Sequence, residues 1–373
     1  MIIIQMSGGL GNQMFQYALG IQLQALGRKV TFDTGTMYRG TAGTAAEAGG
    51  ASTARSGTAG SGNAAGVVQR MPMLEQAFGI RVPECSESDR IRITDSDLSL
   101  VSRVRRKFFG RKSLERHDED FRFDPSFLEE TGDAYYVGCF QCPAYFQRAE
   151  EENGAVRRAF RFRRDILEGE EAQGSVRFAE EIRRAEAKGE ETLAVHLRFG
   201  DYVSKADVYG GFCTDEYYHA AIEDLLRGAA VPVRVFVFSN DEKMAAGWIR
   251  REEKKLKAEA YEAAAETASP ADSSGAGNAL PVKFTLVTGS DEGAGYRDLY
   301  LLSLCRHFII ANSSFSWWGA YLGKRRNTRI YAPSRWTHLS EGRDRREEIY
   351  TPDMILVGSD GAMEDRGEET LLH

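Results

Sequence analysis

Apolar runs of strand length alternate with segments of helical period through the second half of this chain: TLAVHLR, TDEYYHAAIEDLLRG, VRVFVFS, a helical pattern from Asn240, KFTLV, YRDLYLLSLC, HFIIA, SFSWWGAYL and RIYAP. This order predicts a parallel sheet wrapped by helices, because parallel neighbours need a crossover between them and a helix supplies it. The N-terminus opens in the same way. MIIIQM is a buried-strand run, Met14, Ala18, Ile21 and Ala25 share one helical face, and KVTFD is a second strand. The expected fold class is α/β, with two Rossmann-like halves that meet near residues 165–190, bounded as 1–170 and 171–357. Parallel sheets bind ligands at the carboxyl ends of their strands, so the site is expected in a crevice between the halves.

Two segments interrupt the pattern. Residues 40–66 are almost all Gly, Ala, Ser and Thr, and 258–280 end in ETASPADSSGAGNAL. Neither holds enough apolar surface to offset its ordering entropy, so both are expected to be flexible surface insertions, with 358–373 a frayed tail. A net charge of −7 gives no general nucleic-acid footprint. No apolar run reaches the ~18 residues of a membrane span. MIIIQM lacks a signal peptide's cationic start and cleavage site, and the expected location is cytoplasmic. Five irregularly spaced cysteines suit free thiols. Cys139 and Cys142 in GCFQC lack the further ligands a zinc site needs.

SGGLGNQMFQ, Ser7 to Gln16, sits at the first strand-to-helix turn. Gly9 and Gly11 occupy the first two positions of a dinucleotide fingerprint, and Asp33 lies where a ribose-binding acid would, but Met14 stands at the third glycine. No P-loop lysine follows. Anion binding fits better: glycines admit close approach, helix-start N–H groups carry partial positive charge, and Asn12 and Gln13 add amides. A plain tight turn is the alternative.

VHLRFGDYV, Val195 to Val203, puts His196 and Arg198 on one side of a strand's carboxyl end, with Asp201 in the following loop. An arginine there suits a diphosphate, since its fork binds two oxygens at once; an Arg198–Asp201 surface pair is the alternative. In IIANSSFSWW a buried strand runs into a helix whose start offers Asn312, Ser313 and Ser314, a second phosphate cradle or an ordinary N-cap. Trp317 and Trp318 are expected to pack that helix on the sheet.

GGLGNQMFQYA, HLRFGDY and LLSLCRHFIIANSSFSWWGAYL, in this order, resemble the alpha-1,2-fucosyltransferase family of inverting, GDP-fucose-dependent enzymes, glycosyltransferase family 11. GCFQCPAYF and FSNDEKMAAGW resemble two intermediate blocks of that family. The resemblance implies a GT-B-like fold whose second domain holds most of GDP, with no metal and no cofactor beyond the donor substrate. It implies that Arg198 holds the donor's β-phosphate, that His196 lies near the nucleotide, and that Ser313 and Ser314 form the late phosphate turn beside Asn312. Gly9, Gly11 and Asn12 would close over the diphosphate and fucose, and Asp298 would accept guanine's N1–H and N2–H. Phe199 departs from the family's second arginine, with Lys205 a conceivable substitute.

The implied reaction moves L-fucose from GDP-fucose to the 2-hydroxyl of a terminal β-galactoside, free or lipid-linked, with inversion. Catalysis would rest on Arg198, Asp201 and Asn12, and Asp201, Asp207 or the departing phosphate would take the acceptor's proton. Two other functions stay open: an NAD(P)-dependent oxidoreductase through the first loop and Asp33, and a silent nucleotide-sugar binder through Phe199. The acidic stretches TDSD and HDED are expected to be solvated rather than metal-binding. Basic residues from Arg103 to Arg116, around Phe108 and Phe109, could touch an anionic membrane or a lipid-diphosphate, or simply form a solvated face.

Overall fold

A computed structural model describes residues 1–38, 73–118, 121–199, 206–267, 282–289, 294–338 and 348–364. The expected insertion at 40–66, Asp201 and Lys205 lie outside the described residues.

Two parallel sheets form, one in each half. The first holds β1 (Ile2–Gln5), β2 (Val30–Asp33), β3 (Glu115–His117) and β4 (Ala134–Val137) in the order β2-β1-β4-β3. The second holds β5 (Glu191–Leu197), β6 (Val233–Ser239), β7 (Val282–Leu286), β8 (His307–Ile309), β9 (Ile330–Pro333) and β10 (Met354–Val357) in the order β10-β9-β8-β5-β6-β7. Central strands such as β5 and β9 are buried along nearly their whole length, as parallel strands covered on both faces must be. The two parallel sheets are the two Rossmann-like α/β halves that the alternation of strands and helices predicts.

Each sheet grows on both sides of its first strand. In the first the chain adds β2 on one side of β1, crosses to β3 at the far edge and fills the place beside β1 with β4; in the second it builds β5, β6, β7 and then places β8 on the other side of β5. At such a switch point the connections after the two central strands leave in opposite directions, and a crevice opens at their carboxyl ends.

The helices used below are α1 (Leu10–Ala25), α2 (Leu100–Phe109), α3 (Gln147–Asn153), α4 (Gln173–Ala187), α5 (Asp215–Gly228), α6 (Glu242–Thr267), α7 (Gly295–Leu304) and α8 (Ser314–Gly323). α1 follows β1 and α8 follows β8, and they pack against each other across the two halves. Trp317 and Trp318 are fully buried, and besides each other and Tyr321 of the same helix their aromatic partners belong to the first half. Phe15 of α1 lies 4.8 Å from Trp317 and 4.9 Å from Trp318, and Phe160 lies 5.0 Å from Trp318. One hydrophobic core therefore runs from β1 through α1 and α8 to β9.

Three expectations are corrected. α6 continues to Thr267, ten residues into the expected insertion at 258–280, because AEAYEAAAET is rich in strong helix formers. The tail expected from 358 is ordered to Glu364: Gly358 N–H donates to Ala362 O at 2.7 Å, and Glu364 N–H returns to Leu356 O at 2.9 Å. Third, the short β3 and the strand β4 complete the first sheet, where only β1 and β2 had been expected.

Candidate active site

The loop after β1 is held by amides of α1. Gly8 is left-handed (φ +77°), a conformation that favours glycine. Gln16 accepts from Ser7 N–H at 3.1 Å and donates to Gly138 O at 2.9 Å, while Gln13 donates to Gly8 O at 3.2 Å. Both glutamines are buried, so Gln13, expected to face a ligand, braces the loop instead.

Asn12 joins the two switch points. Its Oδ1 accepts from Ser314 Oγ at 2.7 Å and from Gln141 Nε2 at 2.8 Å, and Gln141 Oε1 accepts from Trp336 Nε1 at 3.2 Å. One side chain thereby links the loops that follow β1, β4 and β8, with the loop after β9 one bond further. Gly11 makes the approach possible: a Cβ there would stand 2.5 Å from the Ser314 carbonyl carbon and 2.6 Å from Phe315 N.

Two helix starts thus meet face to face. Gly9 is the N-cap of α1 and Ser313 the N-cap of α8, neither supplies a side-chain cap, and neither helix has an acidic residue in its first turn. Each start carries about half a positive charge. The expected N-cap bond from Ser313 is not made, and an anion is the group these facing N–H ends would accept.

His196 lies next to α8. It lies at the end of β5, 4 % exposed, with its ring 5.5 Å from that of Phe315 on α8. Its Nδ1 is buried and without a hydrogen-bond partner among the described residues. Burial, and then the Arg198 charge, push its pKa down to about 3. Arg198 is half-buried and directly follows the last residue of β5. Phe199 is held by Asn240, which accepts from its N–H and donates to its carbonyl, both at 2.8 Å, and its ring packs on the core of the second half.

Other expected residues have different work. Asn312 is buried and donates to the carbonyls of Tyr209 and Trp336, both at 3.0 Å, so it ties two loops together. Asp33 accepts from Tyr135 Oη at 2.7 Å and from Gly35 N–H at 2.9 Å, and Met14 is fully buried, which leaves the dinucleotide alternative without its ribose acid. Asp298 is half-buried in the first turn of α7, and Asp207 is exposed. Asp95 and Asp97 of TDSD bind the neighbouring polypeptide, and Asp118 of HDED accepts from Phe140 N–H at 2.8 Å. Gln141, Trp336 and Phe315 carried no functional signal, although GCFQC, which contains Gln141, stood out as a block.

A cavity of about 740 Å³ opens at the carboxyl ends of β9 and β10, lined by residues that include Gly211, Phe212, Arg335, His338 and Asp360. A smaller cleft of about 310 Å³, lined by Glu186, Leu304 and Gly323, lies at the opposite ends of α4, α7 and α8 and has no part in the site. All five cysteines are free. Among the described residues the one cluster with metal-ligand spacing is His219, Glu223 and Glu259, which includes none of them.

Residues 278–357 match the sequence profile of Glycosyl transferase family 11. This part of the chain is similar to that family. The matched segment contains Ser313, Ser314, Asn312, Trp336 and Asp298, and so one of the two facing helix starts. Two curated relatives are similar over longer stretches: the alpha-1,2-colitosyltransferase of Escherichia coli, 34% identical over 152 residues (40% of this chain, 42% of that protein), and the O-antigen biosynthesis glycosyltransferase WbnK of Escherichia coli, 26% identical over 149 residues (39% of each). The matches thus span about two fifths of the length of these relatives. Among solved structures, the fucosyltransferase NodZ from Bradyrhizobium is 15% identical with a TM-score of 0.40 over 86% of this chain and 93% of that one. A FUT1 mutant of Arabidopsis thaliana in complex with GDP is 13% identical with a TM-score of 0.42, over 89% of this chain and 70% of that one.

Proposed function

We propose that this chain is an inverting glycosyltransferase that moves L-fucose from GDP-β-L-fucose to the 2-hydroxyl of a terminal β-galactoside in surface glycan synthesis. The observation that carries the proposal is the meeting of two uncapped, acid-free helix starts at Asn12 and Ser314, beside Arg198 and the unpartnered Nδ1 of His196. A diphosphate is the ligand such a field favours.

In this reaction the bond from the sugar's anomeric carbon to the β-phosphate oxygen breaks, and negative charge grows on GDP. Arg198 and the two helix starts take up that charge, which is where binding energy accelerates the step. The acceptor hydroxyl attacks from the opposite face, and its proton passes to Asp201, to Asp207 or to the departing phosphate. Asp298 accepts guanine's paired donors. The positive groups suffice for the leaving diphosphate without a metal ion, and no cofactor beyond the donor is required.

Similarity to a protein named for alpha-1,2-colitosyl transfer supports the linkage and favours a second donor, GDP-linked colitose. Purified protein incubated with each GDP-sugar and a panel of galactosides, with products read by mass and linkage, tests both. An α-1,2-fucosylated product that forms equally in EDTA supports the proposal. Colitosyl product alone changes the donor, and no product with either sugar, despite GDP binding, turns the chain into a nucleotide-sugar binder.

A further inference from the structure

Ten large apolar side chains stand exposed among the described residues, and seven of them lie between Leu98 and Leu114. Single exposed apolar residues are ordinary, but a cluster of this kind is not. Its centre is α2, LVSRVRRKFF, which buries none of its residues.

The orientation of α2 is inverted relative to a helix of a soluble core. At about 100° per residue Leu100, Val101, Val104 and Phe108 fall within one face, with Ser102 and Arg106 opposite them. The polar face is the docked one. Ser102 Oγ donates to Asp97 Oδ2 at 2.6 Å, Arg106 donates to Asp95 O at 2.7 Å and to Asp97 O, and Arg105 pairs with Asp95. The apolar face is left to solvent: Leu100 is 78 %, Val101 80 % and Phe108 74 % exposed.

Charge decides what this face suits. Leu98 to Leu114 contains six Lys or Arg and no Asp or Glu, in a chain of net charge −7. Arg103 and Lys107 are exposed at the margin of the apolar ridge, and Arg111 and Lys112 follow the helix, also exposed. A second copy of the chain would bring these like charges together. An anionic bilayer would take both the apolar ridge and the cations.

We propose that α2 is a docking helix that lies in the surface of an anionic membrane, with its apolar ridge among the acyl chains and Arg103 and Lys107 at the headgroups. This goes beyond glycosyl transfer and is tested without it.

The full chain is sedimented with phosphatidylcholine vesicles, with and without phosphatidylglycerol. Co-sedimentation is expected with the anionic vesicles, weakened by salt. The variants are Leu100→Ser with Val104→Ser and Phe108→Ser, and Arg103→Glu with Lys107→Glu. Each set should lower partition about tenfold or more, while thermal unfolding stays unchanged because these side chains stand outside the core. Full binding by either folded variant, or none by the parent, overturns the proposal. A parent that leaves vesicles unbound but forms a dimer that the triple-serine variant loses makes the face a self-association surface, and overturns it equally.

Discussion

Ser314 donates its hydroxyl hydrogen to Asn12 Oδ1 at 2.7 Å, and so joins the first helix of the chain to a residue 302 positions later. The bond spans the two halves at the point where both sheets reverse their strand order, and Asn12 Oδ1 is shared with Gln141. Asn12→Ala leaves Gln141 and Ser314 without this acceptor, for a loss of about 1–2 kcal/mol in denaturant unfolding. In a double-mutant cycle with Ser314→Ala the losses should fall short of additivity by at least ~0.5 kcal/mol. Strictly additive losses would mean that the bond does not couple the halves.

Gly11→Ala tests the closeness of the two helix starts. The added Cβ would meet backbone atoms of Ser314 and Phe315, which cannot swing away as a side chain does. A destabilisation of about 1–3 kcal/mol is expected. On the proposed function GDP affinity should fall with it. Unfolding at the parent's temperature and undiminished GDP binding would show that the helix starts separate without cost.

His196 makes stability depend on pH in a defined direction. Its folded pKa is about 3 against an ordinary 6.5, so between these values the unfolded chain binds a proton that the folded chain refuses. Stability from this residue is complete above about pH 6.5 and is lost as pH falls toward 3. His196→Asn should flatten the acid side of the melting-temperature profile. A diphosphate beside the ring would favour the imidazolium, so the stabilisation by GDP should grow between pH 7 and pH 5. A GDP effect independent of pH would move the phosphates away from His196.

Arg198→Lys keeps a charge but loses the two-pronged donor. On the proposed mechanism turnover drops roughly a hundredfold or more, with little change in melting temperature. Arg198→Ala should be worse. A folded Arg198→Ala protein that transfers sugar at the parent rate would remove this residue from the donor phosphate.

Trp318 lies among Phe15, Phe146 and Phe160 with no solvent exposure. Trp318→Ala should cost about 3–5 kcal/mol, read by urea unfolding. Because these aromatics belong to both halves, the variant should still unfold in one transition. Separate transitions would show that the halves hold independent cores.

Local periodicity carried the α/β class, the alternation of the second half, the first βαβ unit and the placing of His196, Arg198 and Ser314 at strand or helix ends. Backbone geometry makes these legible, because a strand or helix repeats over neighbouring residues. Helix α2 was visible as a basic segment around two phenylalanines. Which of its faces turned outward was not, since that depended on Asp95 and Asp97 capturing Ser102, Arg105 and Arg106. Asp33 and Asn312 had the chemistry of ligand-binding residues, and Tyr135, Tyr209 and Trp336 took it up. The site seam, Asn12 with Gln141, Ser314 and Trp336 near it, has no period and no common segment. It exists because two sheets with reversed strand order bring their switch points together, and tertiary contacts such as the packing of Phe15 on Trp317 and Trp318 hold that approach.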